Sequence, residues 1–112
     1  MPKVWITAKV SGRSGRVREV QALLSSGADL TVLPHELLPE LDPELAGSVL
    51  VEVADGRIAS QPSYWVNIAV EDRGPVRVRA IFASRRNALL SVEAMEKLRI
   101  FPDVISGRVV KG

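Results

Sequence analysis

Apolar and polar residues alternate with a period of two along most of the chain, and that period predicts β-strands. Val4, Ile6, Ala8 and Val10 share one face of a first strand, and the turn residues SGRSG at 11–15 separate it from the resumed pattern of RVREVQALL. These segments read as a hairpin. A second hairpin is written into SVLVEVADGRIASQ, where Asp55-Gly56 stands between alternating arms as the pair expected to supply the positive φ of a type I′ turn. Two more strands, SYWVNIAVE and VRVRAIFA, follow with a turn predicted at DRGP, residues 72–75. Tyr64, Val66, Ile68 and Val70 face one way on the first of them. Val76, Val78, Ala80 and Phe82 face one way on the second, which leaves Arg77 and Arg79 on a face read as solvated.

The period changes to helical only in SVEAMEKLRI, residues 91–100. Ser91 is placed to cap it, Glu93 suits the positive end of the helix dipole, and Leu90 with Met95 form a hydrophobic staple. A lesser helical turn is predicted at PHELL, stopped by Pro39, with PELDPELAGS (39–48) as loop and DVISGRVV (103–110) as a last strand. The sum is a mostly-β chain with one helix near its C-terminus, suited to a small closed barrel or a sandwich.

Composition narrows the chemistry. At 112 residues the sequence suits one domain, residues 1–112, and its 46% hydrophobic and 25% charged residues are a globular mix. Fifteen Lys and Arg against thirteen Asp and Glu leave a net charge of +2 spread along the chain, and aromatics are only 4%, so nothing points to a nucleic-acid partner. There is no cysteine and a single histidine, His35, which removes thiolate chemistry and most histidine-based metal and triad chemistry; no metal or cofactor is expected. Catalysis would have to come from carboxylates or hydroxyls. The N-terminal alternation contains no continuous apolar run, so neither a signal peptide nor a membrane span is expected and a cytoplasmic location is the default.

The segment ALLSSGADLTVLP, residues 22–34, passes from apolar residues through Ser-Ser-Gly-Ala to a β-branched pair. Gly27 removes a side chain where close approach matters, and Ser26 and Thr31 offer hydroxyls to tie a loop to its surroundings. Read by pattern alone, it is a tight loop in a β-structure. The segment resembles the active-site loop of retropepsin-like aspartic proteases, whose pattern runs apolar-apolar-Asp-Thr/Ser-Gly-Ala-x-x-Thr/Ser-Val/Leu; Ser26, Gly27, Ala28, Thr31 and Val32 fit it. ALLSVEAMEKLRI is similar to the family's second landmark, an apolar-apolar-Gly segment opening a helix, and the hairpin with ADGR at its tip is similar to the family's flap.

The resemblance, over residues 4–109, implies a small closed barrel with one C-terminal helix, acting as a symmetric homodimer in which each copy gives one loop to a shared cleft. An extended peptide would be the substrate, and a pair of aspartates sharing one proton would activate water to cut it. It implies catalytic positions at Ser25, Ser26 and Gly27, substrate contacts at Ala28 and Asp29, and flap contacts at Ala54, Asp55, Gly56 and Arg57. For Asp29 an Asx-type turn cap stands as an equal alternative, and for Asp55 a plain turn role is the stronger one.

Two positions depart from the family. Ser25 occupies the place of the catalytic Asp, and Ser91 the place of the second landmark's Gly. A serine hydroxyl does not ionise near neutral pH, so the general base is missing and the chain as written is expected to be inactive. A nucleophilic Ser25 would need a base, for which His35 is the only histidine. The alternatives are a non-catalytic peptide-binding or dimerisation module on the same fold, and an unrelated barrel. The first strand and the apolar tail are expected to leave open sheet edges that a second copy would cover.

Overall fold

The computed structural model describes residues 3–112. Strands β1 (Trp5–Ser11) and β2 (Val17–Leu24) form the first hairpin, followed by β3 (Thr31–Pro34), a 3-10 turn (His35–Leu37) and a short helix α1 (Leu38–Leu41). Then come β4 (Glu44–Glu52), β5 (Ile58–Val70), β6 (Arg73–Ala83), β7 (Ala88–Leu90), helix α2 (Val92–Leu98), and a terminal pair, β8 (Ile100–Asp103) and β9 (Arg108–Lys111).

Seven strands form one sheet in the order β1-β2-β7-β3-β6-β5-β4, and β1 also pairs with β5 through Lys9–Ser11, so the sheet closes on itself. The result is a barrel with β4 attached outside the ring, and β8 and β9 form a separate two-stranded sheet. Alternation explains the core. The inward faces anticipated from sequence hold Val4, Ala8 and Val10, then Val66, Ile68 and Val70, then Val78, Ala80 and Phe82, all buried beside Leu33, Leu37, Leu41 and Leu90. Arg73 ties the open end of α2 to the sheet by donating to the carbonyls of Leu98 (3.3 Å) and Arg99 (3.2 Å).

Several boundaries differ from the sequence expectation. Helix α1 runs through Pro39, because a proline in the first turn of a helix gives up an N–H that would have no partner there. Its last carbonyls are taken by the first hairpin's turn, where Ser14 N donates to Leu41 O (3.1 Å) and Ser14 Oγ to Glu40 O (2.7 Å). Gly12 permits this approach: a Cβ there would stand 2.5 Å from the Leu41 carbonyl oxygen. Residues 44–48, expected as loop, are strand, paired to β5 across a bulge between Leu45 and Gly47.

Helix α2 ends at Leu98, with Arg99 in the left-handed conformation, and Ile100 already belongs to β8. The expected last strand at 103–110 is instead a turn and β9 folded back on β8, with Phe101 opposite Val110 and Asp103 opposite Arg108. The turn expected at 72–75 sits at Glu71-Asp72, between the paired residues Val70 and Arg73. The expected open edge on the first strand is mostly absent, since β1 pairs with β2 along Trp5–Ser11 and with β5 along Lys9–Ser11.

The turn between β8 and β9 is fastened by Asp103. Its Oδ1 accepts from Ile105 N (3.1 Å) and Ser106 N (3.4 Å), and its Oδ2 from Ser106 Oγ (2.9 Å). The Ser106 hydroxyl first, then the Ser106 and Ile105 amides, hold this carboxyl below the usual carboxylate range. A depressed native pKa contributes stability that is present above the unfolded value and is lost as pH falls through the native one. Acid titration followed by NMR is therefore expected to loosen the Ile105 and Ser106 amides at the low end of the carboxylate range, and Asp103→Asn to abolish that transition.

Candidate active site

The two segments singled out by sequence lie side by side. β2 and β7 are parallel neighbours with Ala22, Leu23 and Leu24 in register with Ala88, Leu89 and Leu90, and β7 also meets β3 where Leu89 faces Val32. The loop at residues 25–30 is therefore not a hairpin turn. It reverses the chain by stepping over the end of β7, a span of two strand spacings, about 9–10 Å. Small residues suit that crossing because the loop must lie flat on the strand end and on the start of α2.

Three backbone hydrogen bonds hold the loop in place. Ser25 N donates to Leu90 O (3.1 Å), Ala28 N to Ser25 O (3.3 Å), and Val92 N to Ala28 O (3.0 Å). Beneath them lies a buried hydroxyl pair. Thr31 Oγ1 and Ser91 Oγ are 3.0 Å apart, Ser91 N donates to Thr31 Oγ1 (3.2 Å), and Ser91 Oγ accepts from Ala94 N (3.2 Å). Ser91 thus caps α2 as expected, and it does more than that: its side chain joins the loop's exit strand to the helix start. Leu90 and Met95, the staple residues, are both buried.

Ser25 is half-buried, whereas Ser26, Gly27 and Asp29 are exposed and Ala28 is half-buried. Apart from its neighbours Ser26 and Ala28, no described residue comes within 4 Å of the place a Gly27 Cβ would occupy, so the close approach expected there is not made among the described residues. Among the described residues no hydrogen bond links Ser25 to His35; His35 lies exposed beside Glu36, Ser84, Arg85 and Arg86. Among the described residues Ser25 has no hydrogen-bonded base, which leaves the Ser–His reading without support.

Ala54, Asp55, Gly56 and Arg57 occupy the exposed tip of the β4–β5 hairpin. The turn is not type I′. Gly56 N donates to Val53 O (2.9 Å) and Val53 N to Arg57 O (2.8 Å), and only Gly56 has positive φ, +88°, so the loop has three residues with glycine in the left-handed place. Asp55 serves the turn: its Oδ1 accepts from Arg57 N (3.2 Å) and its Oδ2 pairs with Arg57 Nε (2.6 Å). Gly56→Ala is expected to cost about 1–2 kcal/mol by forcing a Cβ into left-handed backbone. Hydrogen exchange at the Val53 amide should then be about tenfold faster.

Asp29 borders a cavity of 360 Å³ that it shares with Leu30, Trp65, Arg79 and Glu93, and sequence reasoning missed the last four. The expectation of a solvated face holds for Arg77, which is exposed and paired with Glu44, but fails for Arg79. Arg79 is half-buried with its guanidinium 5.2 Å from the Trp65 ring centre, its Nε is buried without an acceptor, and its backbone N donates to Glu93 Oε1 (3.1 Å). Alternation put Trp65 and Arg79 on outward faces; only the β5–β6 register, which pairs them, brings them together beside the loop.

The fold is that of retroviral proteases. The chain matches the solution structure of simian foamy virus (mac) protease with a TM-score of 0.61 at 20% identity, over 82% of this chain and 91% of that one. It matches EIAV protease, in complex with the inhibitor HBY-793, with a TM-score of 0.63 at 16% identity, over 86% and 88% of the two chains. Against prototype foamy virus protease–reverse transcriptase the values are 0.59 and 21%, over 86% of this chain but only 11% of that longer one. No family model matches the sequence, and no curated protein matches it. The likeness to retropepsin-like proteases at these identities is one of fold.

Proposed function

We propose that the chain is a half-site protomer of an aspartic-protease-type peptidase scaffold, a single domain that pairs with a second copy to bind an extended peptide in a shared cleft. With Ser25 in the position of the catalytic carboxylate, the cleft holds peptide without cutting it. The observation that carries this reading is the Ser25–Ala28 loop, stepping over β7 and pinned to Leu90 O and Val92 N at the head of α2. Such a loop presents a half-buried position 25 on a rigid base, while the space in front of Gly27 is left to something outside the chain.

The β4–β5 hairpin suits a cover for the peptide. Leu50 and Ile58 are both exposed and lie on one face of it, because Leu50 faces Ser60 and Glu52 faces Ile58. Apolar side chains left in water on a hairpin arm gain by closing on a ligand. Asp29, whose side chain makes no hydrogen bond among the described residues, suits acceptance from peptide main-chain N–H groups. The experiment that separates a silent peptidase from a pure binding module is restoration of a carboxylate at position 25, since only the former gains hydrolysis.

A further inference from the structure

We propose that Arg79 is a carboxylate-binding residue, and that the cavity beside the Ser25 loop takes an acidic group of the bound peptide, either an acidic side chain or the C-terminal carboxylate. The inference rests on the peptide-cleft reading above and names the class of peptide that the cleft prefers.

Two arginines stand in unequal circumstances. Arg77 and Arg79 are two positions apart on β6 and so share one face of the sheet. Both guanidinium groups lie against the Trp65 ring, at 4.8 and 5.2 Å from its centre. Arg77 has its counter-charge within the chain, because Glu44 at the start of β4 pairs with its Nη2. Arg79 has none. No ion pair among the described residues includes it, and its Nε is the one buried side-chain nitrogen or oxygen there that lacks a hydrogen-bond partner. A buried N–H without an acceptor is costly, and more so on a cation, which favours an anionic acceptor from outside the chain.

The carboxylates around the cavity do not fill that role. Glu93 accepts from the backbone N of Arg79 through Oε1 (3.1 Å), and its Oε2 faces Lys97 Nζ (3.4 Å), so its charge is already matched. Asp29 lines the same cavity but forms no ion pair with Arg79. The open volume is 360 Å³, and Asp29 and Leu30 in its wall directly follow the Ser25–Ala28 loop. A peptide running past that loop can set a main-chain N–H on Asp29 and an acidic group on Arg79. A guanidinium offers Nε and Nη as a planar fork that fits a carboxylate with two hydrogen bonds, and Trp65 restrains that plane before the ligand arrives. Presenting Nε needs only a turn about the terminal torsions, which exchanges an unpartnered pose for a paired one.

Fluorescence anisotropy of labelled decapeptides titrated with the full chain tests this. The probes are amidated peptides with one Glu at successive positions of a neutral sequence, each beside its Gln counterpart, and the neutral peptide with a free or an amidated C-terminus. One Glu register, or the free terminus, is expected to bind about 10- to 100-fold more tightly than its uncharged counterpart, and which of them does so identifies the source of the carboxylate. Arg79→Gln should erase the preference. Because the readout is a ratio of two peptides on one protein, a general loss of affinity does not imitate it. Arg79→Lys keeps the charge without the fork and should retain only part of the preference, and it serves where the Gln variant fails to fold. Equal binding of every charged and uncharged pair, or a preference that survives both substitutions, overturns the proposal and leaves the peptide cleft standing. An Arg79-dependent preference that saturates at one peptide per chain keeps the carboxylate site and overturns the shared cleft. Binding of no peptide at all overturns both.

Discussion

Replacing Ser25 by Asp is expected to create peptidase activity under the proposed reading, raising hydrolysis of unstructured peptides at mildly acidic pH by at least about 10²–10⁴-fold. The scaffold around position 25 is already assembled. Its amide is held by Leu90 O and its carbonyl by Ala28 N, and its side chain, just past the end of β2, makes no hydrogen bond among the described residues. What the serine lacks is a group that ionises in the working range. Two carboxylates facing each other across a dimer cannot both ionise, so one proton is shared and the pair acts as base and acid at once. Activity should therefore follow a bell-shaped pH profile, since full protonation removes the base and full ionisation removes the acid. Ser25→Asn, similar in size but unable to ionise, should show no gain. A folded, dimeric Ser25→Asp chain that cuts nothing would sink the peptidase reading and leave the binding module.

Thr31→Val is the second large effect, expected to cost about 1–3 kcal/mol of unfolding free energy in urea denaturation. Valine keeps the β-branched shape but removes the hydroxyl that accepts from Ser91 N and bonds Ser91 Oγ, leaving a fully buried amide without an acceptor. Ser91→Ala should cost about 0.5–2 kcal/mol, because the α2 cap to Ala94 N is lost as well. The double variant should cost less than the sum, since the two hydroxyls satisfy each other and removing both leaves fewer orphans. Strict additivity would show that the pair does not couple loop to helix.

The strand faces of this barrel were legible because alternation is enforced by burial: shifting Val66, Ile68 and Val70 by one residue would put all three in water. Residues 44–48 misled for the converse reason. β4 lies outside the closed ring, most of it is exposed, and Gly47 and Ser48 there satisfy a bulge and an edge rather than a loop. Pro39 read as a stop because its position within a helix turn is invisible until the start of that turn is known. At the site, local chemistry was readable one segment at a time. Ser91 was identified as a helix cap, but its bond to Thr31 spans sixty positions and depends on β7 lying between β2 and β3. The same holds for Arg79 against Trp65, whose meeting beside Asp29 follows from register and not from either segment's pattern.

The central claim is that one binding cleft is made from two copies of the Ser25 loop. Calorimetric titration of the unaltered chain with the tightest binder from an extended-decapeptide library tests it most directly. The account predicts saturation at one peptide per two chains, with the peptide recovered uncut. Saturation at one peptide per chain, or binding that persists in a monomeric variant, would contradict it.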